Sequence, residues 1–306
     1  MAAVNAVIKE SKGDKIVNVC IYVILAIILI IVAYPLWFVI IASISDPDLV
    51  NSGQVVLIPR GITFEGYTYV FQNEQVLTGY RNTIFYTLAG TLLNLVVTLP
   101  AAYALSRKDF YGNTFFTFMF LFTMYFSGGL IPTYMLITNT LHMYNTVWVM
   151  IIPGATGMSN IILCRTFFRT TIPDEMREAA EIDGCSNFKL FFRIVLPLSG
   201  AIIAVMALLF GVGHWNAYFH AMMYLSPSSR ELYPLQLVLR EMLLQTQVTV
   251  TALLESGELG NFGELQRRVG LMKYALIIVS SIPVLIAYPF VQKFFVKGVM
   301  IGAVKG

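Results

Sequence analysis

From Ile16 to Ile44 the chain runs without a single Asp, Glu, Lys, Arg or His, interrupted only by Pro35 and a few small polar residues. A helix rises about 1.5 Å per residue, so roughly 20 apolar residues reach across the hydrocarbon of a bilayer. Five further stretches have the same character, near 81–105, 114–137, 146–167, 198–224 and 272–296. None alternates apolar and polar residues as the strands of a membrane barrel do. The expectation is an all-α polytopic membrane protein with six transmembrane helices. Composition agrees: 57% of residues are hydrophobic, 12% are charged and the mean hydropathy is +0.73. A water-soluble domain carries about 25% charged residues, so lipid must solvate much of this surface.

The first run is too long for the core of a secretion signal and no small-residue cleavage site follows a short one, so it is expected to stay as an anchor. Orientation follows from Lys and Arg in the connections. With the N-terminus inside, 13 of the 20 basic residues fall in the cytoplasm, which predicts that both termini are inside. Residues 45–80 and 225–271 then lie outside and 168–197 inside, while 106–113 and 138–145 read as simple turns. The organisation reads as 1–70 (tail, first helix and outer loop), a membrane core over 71–296 and a cytoplasmic tail over 297–306.

Membrane-embedded carboxylates mark most proton and ion paths. None occurs within 16–44, 82–105, 114–137 or 274–292, and the fifth span holds only His214 and His220. A proton-coupled carrier is disfavoured on that ground. No G-x-x-x-x-G-K-[ST] phosphate loop, H-E-x-x-H helix or G-x-S-x-G elbow is present, so neither an ATP engine nor an embedded hydrolase has support. Three histidines and the scattered Cys20, Cys164 and Cys185 make a metal site improbable on spacing alone. The net charge of +3, with no basic run, gives nucleic acid no purchase. Catalytic residues and bound cofactors are expected to be none.

The inner loop is the informative segment. Residues 171–200 read TIPDEMREAAEIDGCSNFKLFFRIVLPLSG. Pro173 suits the first helical position, Asp174 and Glu175 favour the positive end of the helix dipole, and Gly184 ends the helix after Asp183. Ser186 caps a second helix in which Phe188, Phe191, Phe192 and Val195 share one face, and Pro197 limits it. Ala179 and Ala180 would let a partner approach the backbone closely, and Glu178, Glu181 and Asp183 would offer it charge. A solvated loop that only joins two spans is the alternative.

Glu178-Ala179-Ala180, three residues, Gly184, nine residues, then Ile194-x-Leu196-Pro197 resembles the EAA signature of ABC-importer permeases. The similarity extends over roughly 70–295, with the first span as an additional helix. FSGGLIPTYMLI (126–137), HWNAYF (214–219) and FFVKGVMIGAVKG (294–306) look like the maltose-type second permease, in a subgroup linked to complex oligosaccharides. The resemblance implies a type I importer permease fold in a bacterial cell membrane and a role in sugar import. The implied partners are a second homologous permease forming a heterodimer, two ATPase subunits that bind ATP and Mg, and an extracellular sugar-binding protein. The inner loop at 169–197 would be the coupling element, with Glu178, Ala179, Ala180, Asp183 and Gly184 transmitting motion.

In maltose-type permeases an outer loop reaches into the binding protein. By that resemblance Glu255, Gly257, Glu258 and Gly260 would contact it, with a merely structural lid as the alternative. Tyr125, Trp148, Trp215, Asn216, Tyr218 and His220 supply the aromatic faces and polar groups expected along a sugar path. Packing against lipid in an interfacial belt explains such aromatics equally well. A self-sufficient carrier or channel is the competing function, and a protruding EAA loop is what it would not need.

Overall fold

The computed structural model describes residues 12–256 and 262–303, and among these every regular element is helical. Helix α1 (Lys12–Ser43) is followed by α2 (Pro47–Asn51), whose N-cap Asp46 accepts from the Asp48 amide with Pro47 at the first position. Helix α3 (Glu65–Gln72) leads into α4 (Glu74–Ser106), capped by Asn73. Helices α5 (Asn113–Tyr125) and α6 (Leu130–Met135), the latter extended by a π turn over Leu136–Thr140, form one bent pair. The bend is 112° at Phe126–Gly129, where Ser127, Gly128 and Gly129 favour no helix.

A 3₁₀ turn over Val147–Met150 precedes α7 (Met158–Thr171), and α8 (Asp174–Ile182) follows. Helix α9 (Asn187–Leu190) passes through a π turn, Phe191–Val195, into α10 (Leu196–Leu198). An 81° bend then opens α11 (Gly200–Trp215). Helices α12 (Phe219–Tyr224), α13 (Leu235–Ser256) and α14 (Phe262–Ala303) complete the chain.

Among the described residues three helical stretches are long and apolar enough to cross a membrane unaided: Gly13–Ser43, Glu74–Ser106 and Gln266–Pro289. Counting each bent pair as one pass raises the number to five. The stretch expected as a fourth span, 146–167, is not a continuous helix. Pro153 has no N–H to continue the 3₁₀ turn, and helix resumes only at Met158. Helix α8 and the cap at Ser186 lie where the sequence places them, with the Ser186 side chain accepting from the Lys189 amide.

The chain packs as two units. One combines the described residues up to Val70 with Thr246–Val279. Its core is Ile41, Ala42, Val50 and Val55, covered by Phe38, Leu49 and Tyr274. Polar ties surround that core: the Tyr67 hydroxyl donates to Ser43 Oγ at 2.8 Å, and Arg267 Nη2 reaches Asp46 Oδ2 at 3.1 Å.

The other unit combines Phe71–Gln245 with the described residues from Ser280 onward. Helix α4 is its spine, with α7 and α11 packed along it. One end of α4 carries the main core, in which Leu99, Ala102 and Tyr103 meet Ile161, Phe168, Leu190, Phe191, Val195 and Met206. At the other end, side chains of α4 hold the close of a 3₁₀ turn over Pro227–Leu232 and the start of α13. Asn82 Nδ2 donates to the carbonyls of Glu231 (2.6 Å) and Tyr233 (3.0 Å), and the Tyr86 hydroxyl donates to that of Leu232 (2.8 Å). Thr83 Oγ1 accepts from the Leu235 amide at 2.7 Å.

Candidate functional site

Helix α8 is short and most of its residues are charged, so it cannot hold its place by burying apolar area. It is held instead by one buried contact and a ring of charges. Ala180 is 6% exposed and belongs to the core with Tyr103, Phe168 and Leu190. On the charged side, Arg107 Nε donates to Asp109 Oδ1 at 2.9 Å and its Nη2 pairs with Oδ2 of the same carboxylate. Arg107 Nη1 also donates to Asn187 Oδ1 at 2.6 Å, and Nη2 lies 3.6 Å from Glu181 Oε1. Arg177 bridges Asp109 and Glu181, at 3.3 Å to each. Lys108 Nζ closes the ring on Asp174 Oδ2 at 2.8 Å.

These contacts shift the acids. The hydrogen bond from Arg107 holds the Asp109 carboxyl below its usual range, and Lys108 does the same for Asp174. The Arg107 guanidinium is raised in turn, first by its hydrogen bond to Asp109. Beside this ring a cavity of about 420 Å³ opens between Tyr103, Arg107, Tyr111, Phe188, Phe191 and Phe192.

The five predicted loop residues separate by face. Glu178, Ala179 and Asp183 are exposed. Gly184 has φ +70°, a left-handed conformation that favours glycine, and its amide donates to the Glu181 carbonyl. Ala180 departs from expectation. Its methyl faces inward, so the close approach foreseen for both alanines is open at Ala179 alone. The exposed apolar group is Ile182, at 87%, and the sequence reading passed over it. Also missed were Arg107, Lys108, Asp109 and Arg177. Arg107, Lys108 and Asp109 stand on a connection otherwise read as a plain turn, and nothing local to it ties them to Arg177 on α8.

The remaining candidates divide. Trp148 is exposed on the 3₁₀ turn that packs against α12, which carries His220. Asn145, in a left-handed conformation at φ 55°, ties the two segments, accepting from the Ser226 amide and donating to its hydroxyl. Tyr218 is half-exposed, and the Arg240 guanidinium lies 5.9 Å from its ring centre. Tyr125 is exposed at the 112° bend. Asn216 caps α11 and donates to the Val212 carbonyl at 3.0 Å. Trp215 is buried, with its indole N–H committed to the Ser280 carbonyl at 2.9 Å, so it packs the core and offers no donor to a ligand. Glu255 lies near the end of α13, while Gly257, Glu258 and Gly260 fall outside the described residues. Among the described residues no His, Cys, Asp or Glu cluster has metal-binding geometry.

Two clusters thus terminate one spine. Asn82 and Arg107 are separated by about 37 Å of helix at 1.5 Å per residue, against roughly 30 Å of bilayer hydrocarbon. An element that long is able to reach across a bilayer.

Known proteins resemble this chain over nearly its whole length. The protein LplC of Bacillus subtilis is 35% identical over 300 residues, covering 97% of each chain. The polygalacturonan/rhamnogalacturonan transport system permease YtcP of the same organism is 35% identical over 297 residues, covering 96% of this chain and 99% of its own. A crystal structure of a bacterial ABC transporter that imports the acidic polysaccharide alginate aligns with TM-score 0.79 and 34% identity, over 94% of this chain and 99% of that one. Residues 76–301 match the family described as the inner membrane component of binding-protein-dependent transport systems. By that match, and by its identity to these relatives, the chain belongs to the inner membrane components of binding-protein-dependent transport systems.

Proposed function

We propose that this chain is the permease subunit of an ATP-driven importer of oligosaccharides in a bacterial cell membrane. The family and the substrates in its relatives' names support the reading. The observation that carries it is α8, a helix fixed from behind by Ala180 and the Arg107 ring while Glu178, Ala179, Ile182 and Asp183 face outward. A helix so mounted transmits force: a partner that pulls on its outer face moves α4 through Arg107 and α11 through α9.

In this reading α8 is the coupling helix, seated on a cytoplasmic ATPase that binds ATP and Mg. The chain makes six passes with both termini inside, the fourth being the broken segment from Val147 to Thr171. Tyr125, Trp148, Tyr218 and His220 line the outer part of a sugar path, Asn216 caps the helix beside it, and Trp215 supports it from within. Glu255, Gly257, Glu258 and Gly260 meet an extracellular sugar-binding protein. A second, homologous permease completes the pore as a heterodimer.

The test is purification of the tagged chain from native membranes in mild detergent, with mass spectrometry of everything that co-elutes. An ABC ATPase, a second permease and a sugar-binding protein are expected. A single species that transports after reconstitution alone would overturn the reading.

A further inference from the structure

We infer that Arg240 recognises a carboxylate on the transported sugar, so that the substrate class is acidic oligosaccharides; the inference rests on the sugar-importer reading above. It begins with rigidity. The backbone leading into α13 is held by Asn82, Thr83 and Tyr86, and Leu235, Leu237, Val238 and Leu239 are buried. Arg240 is the next residue and it is exposed. Its Cα is therefore set by the body of the protein and not by a wandering loop.

Its guanidinium lies over the Tyr218 ring, 5.9 Å from the centroid. A cation–π contact of that kind uses the charge of the guanidinium and none of its N–H groups as hydrogen-bond donors. A neighbouring carboxylate would normally take them. Here the adjacent Glu241 leans toward Arg230, 3.7 Å away, and among the described residues no Asp or Glu pairs with Arg240. The result is a positioned, unneutralised fork of donors beside a half-exposed tyrosine.

That combination has a chemical complement. A carboxylate accepts two parallel N–H bonds from a guanidinium edge. The C–H face of a pyranose covers an aromatic ring. A uronic acid residue presents both at once, its carboxylate projecting from the rim of the ring whose face is apolar. Neutral sugars offer only the second. Trp148, on the turn packed against α12, is a further exposed aromatic surface of the same unit.

The experiment uses the whole importer as purified, reconstituted in proteoliposomes with its binding protein. Initial ATP-dependent uptake of trigalacturonate is compared with that of its carboxyl-reduced, neutral counterpart. The wild type is expected to prefer the acid. In Arg240→Gln the ratio of acid to neutral uptake should fall about tenfold, the scale of losing one charge-assisted contact. Arg240→Lys should restore part of it, because a point charge replaces the fork. Wild-type yield of the co-purified complex shows that each variant folds. An unchanged ratio in Arg240→Gln, an equal fall for both sugars, or a wild type without preference for the acid would overturn the inference. Those outcomes leave the importer reading standing. It fails separately if the wild type shows no ATP-dependent uptake and brings no ATPase with it.

Discussion

Ala179 and Ala180 are neighbours of the same type with opposite surroundings. Ala180 touches the core beside Tyr103 and Leu190, whereas Ala179 faces outward. Ala180→Leu forces extra methylenes into a filled site, at about 1–3 kcal/mol. It should lower the melting temperature of the detergent-solubilised complex. Ala179→Leu should leave that temperature unchanged and instead abolish ATPase co-purification. Equal effects of the two substitutions on melting would contradict the inward face of Ala180. Gly184→Pro should leave insertion intact and abolish uptake, since φ +70° is closed to proline. The charged ring has its own signature. Asp109 and Asp174 titrate below their usual range in the folded protein, so their contribution is complete above the ordinary carboxylate pKa of about 3.9 and is lost as pH falls through the lowered values. Melting measured from pH 6 downward should thus hold to near pH 4 and then drop. In Asp109→Asn the drop should shrink, and an unaltered profile would remove Asp109 from the ring.

Elements divide by whether their signals are local. The start of α8, its glycine stop and the Ser186 cap were legible because each depends on residues within one turn of itself. The six apolar runs were legible as composition, but their continuity was not. Pro153 breaks the expected fourth run, and Gly128 and Gly129 bend the third. The side on which Ala180 lies needs the position of Tyr103, more than seventy residues earlier, which no local pattern carries. Arg107 and Asp109 were overlooked for the same reason. Pro197 shows how a local rule has a distant consequence. Lacking an N–H for the Arg193 carbonyl, it sits just after a π turn over Phe191–Val195 that holds Phe191 and Val195 in the core. Pro197→Ala restores the donor and lets the segment tighten to an α-helix, rotating Phe191 out of register. The expected result is a complex that still hydrolyses ATP but imports less sugar per ATP. An unchanged ratio of uptake to hydrolysis would mean that this turn is not part of the transmission.

At the scale of the molecule, α4 joins the clusters at its two ends. One end presents α8 with Ile182 exposed, the other the segment after Pro227, in which Ser228 is exposed. Both positions belong to the same packed unit, so their separation follows from the helix between them. If the basic residues set the orientation, Ile182 faces the cytoplasm and Ser228 the outside. In a background with Cys20, Cys164 and Cys185 replaced by serine or alanine, Ile182→Cys and Ser228→Cys give two single reporters for a membrane-impermeant maleimide. Ser228→Cys should react in intact cells (stripped of any outer wall or membrane) and Ile182→Cys only in inverted vesicles. Excess of the partner ATPase should protect Ile182→Cys and leave Ser228→Cys reactive. Labelling of both from one side would mean that α4 does not cross the membrane. Reversed sides would keep the spine and invert the orientation, placing α8 where no ATPase could reach it. Only the first pattern lets the force of a cytoplasmic motor, taken up at α8, travel along α4 to the residues that hold the opposite mouth.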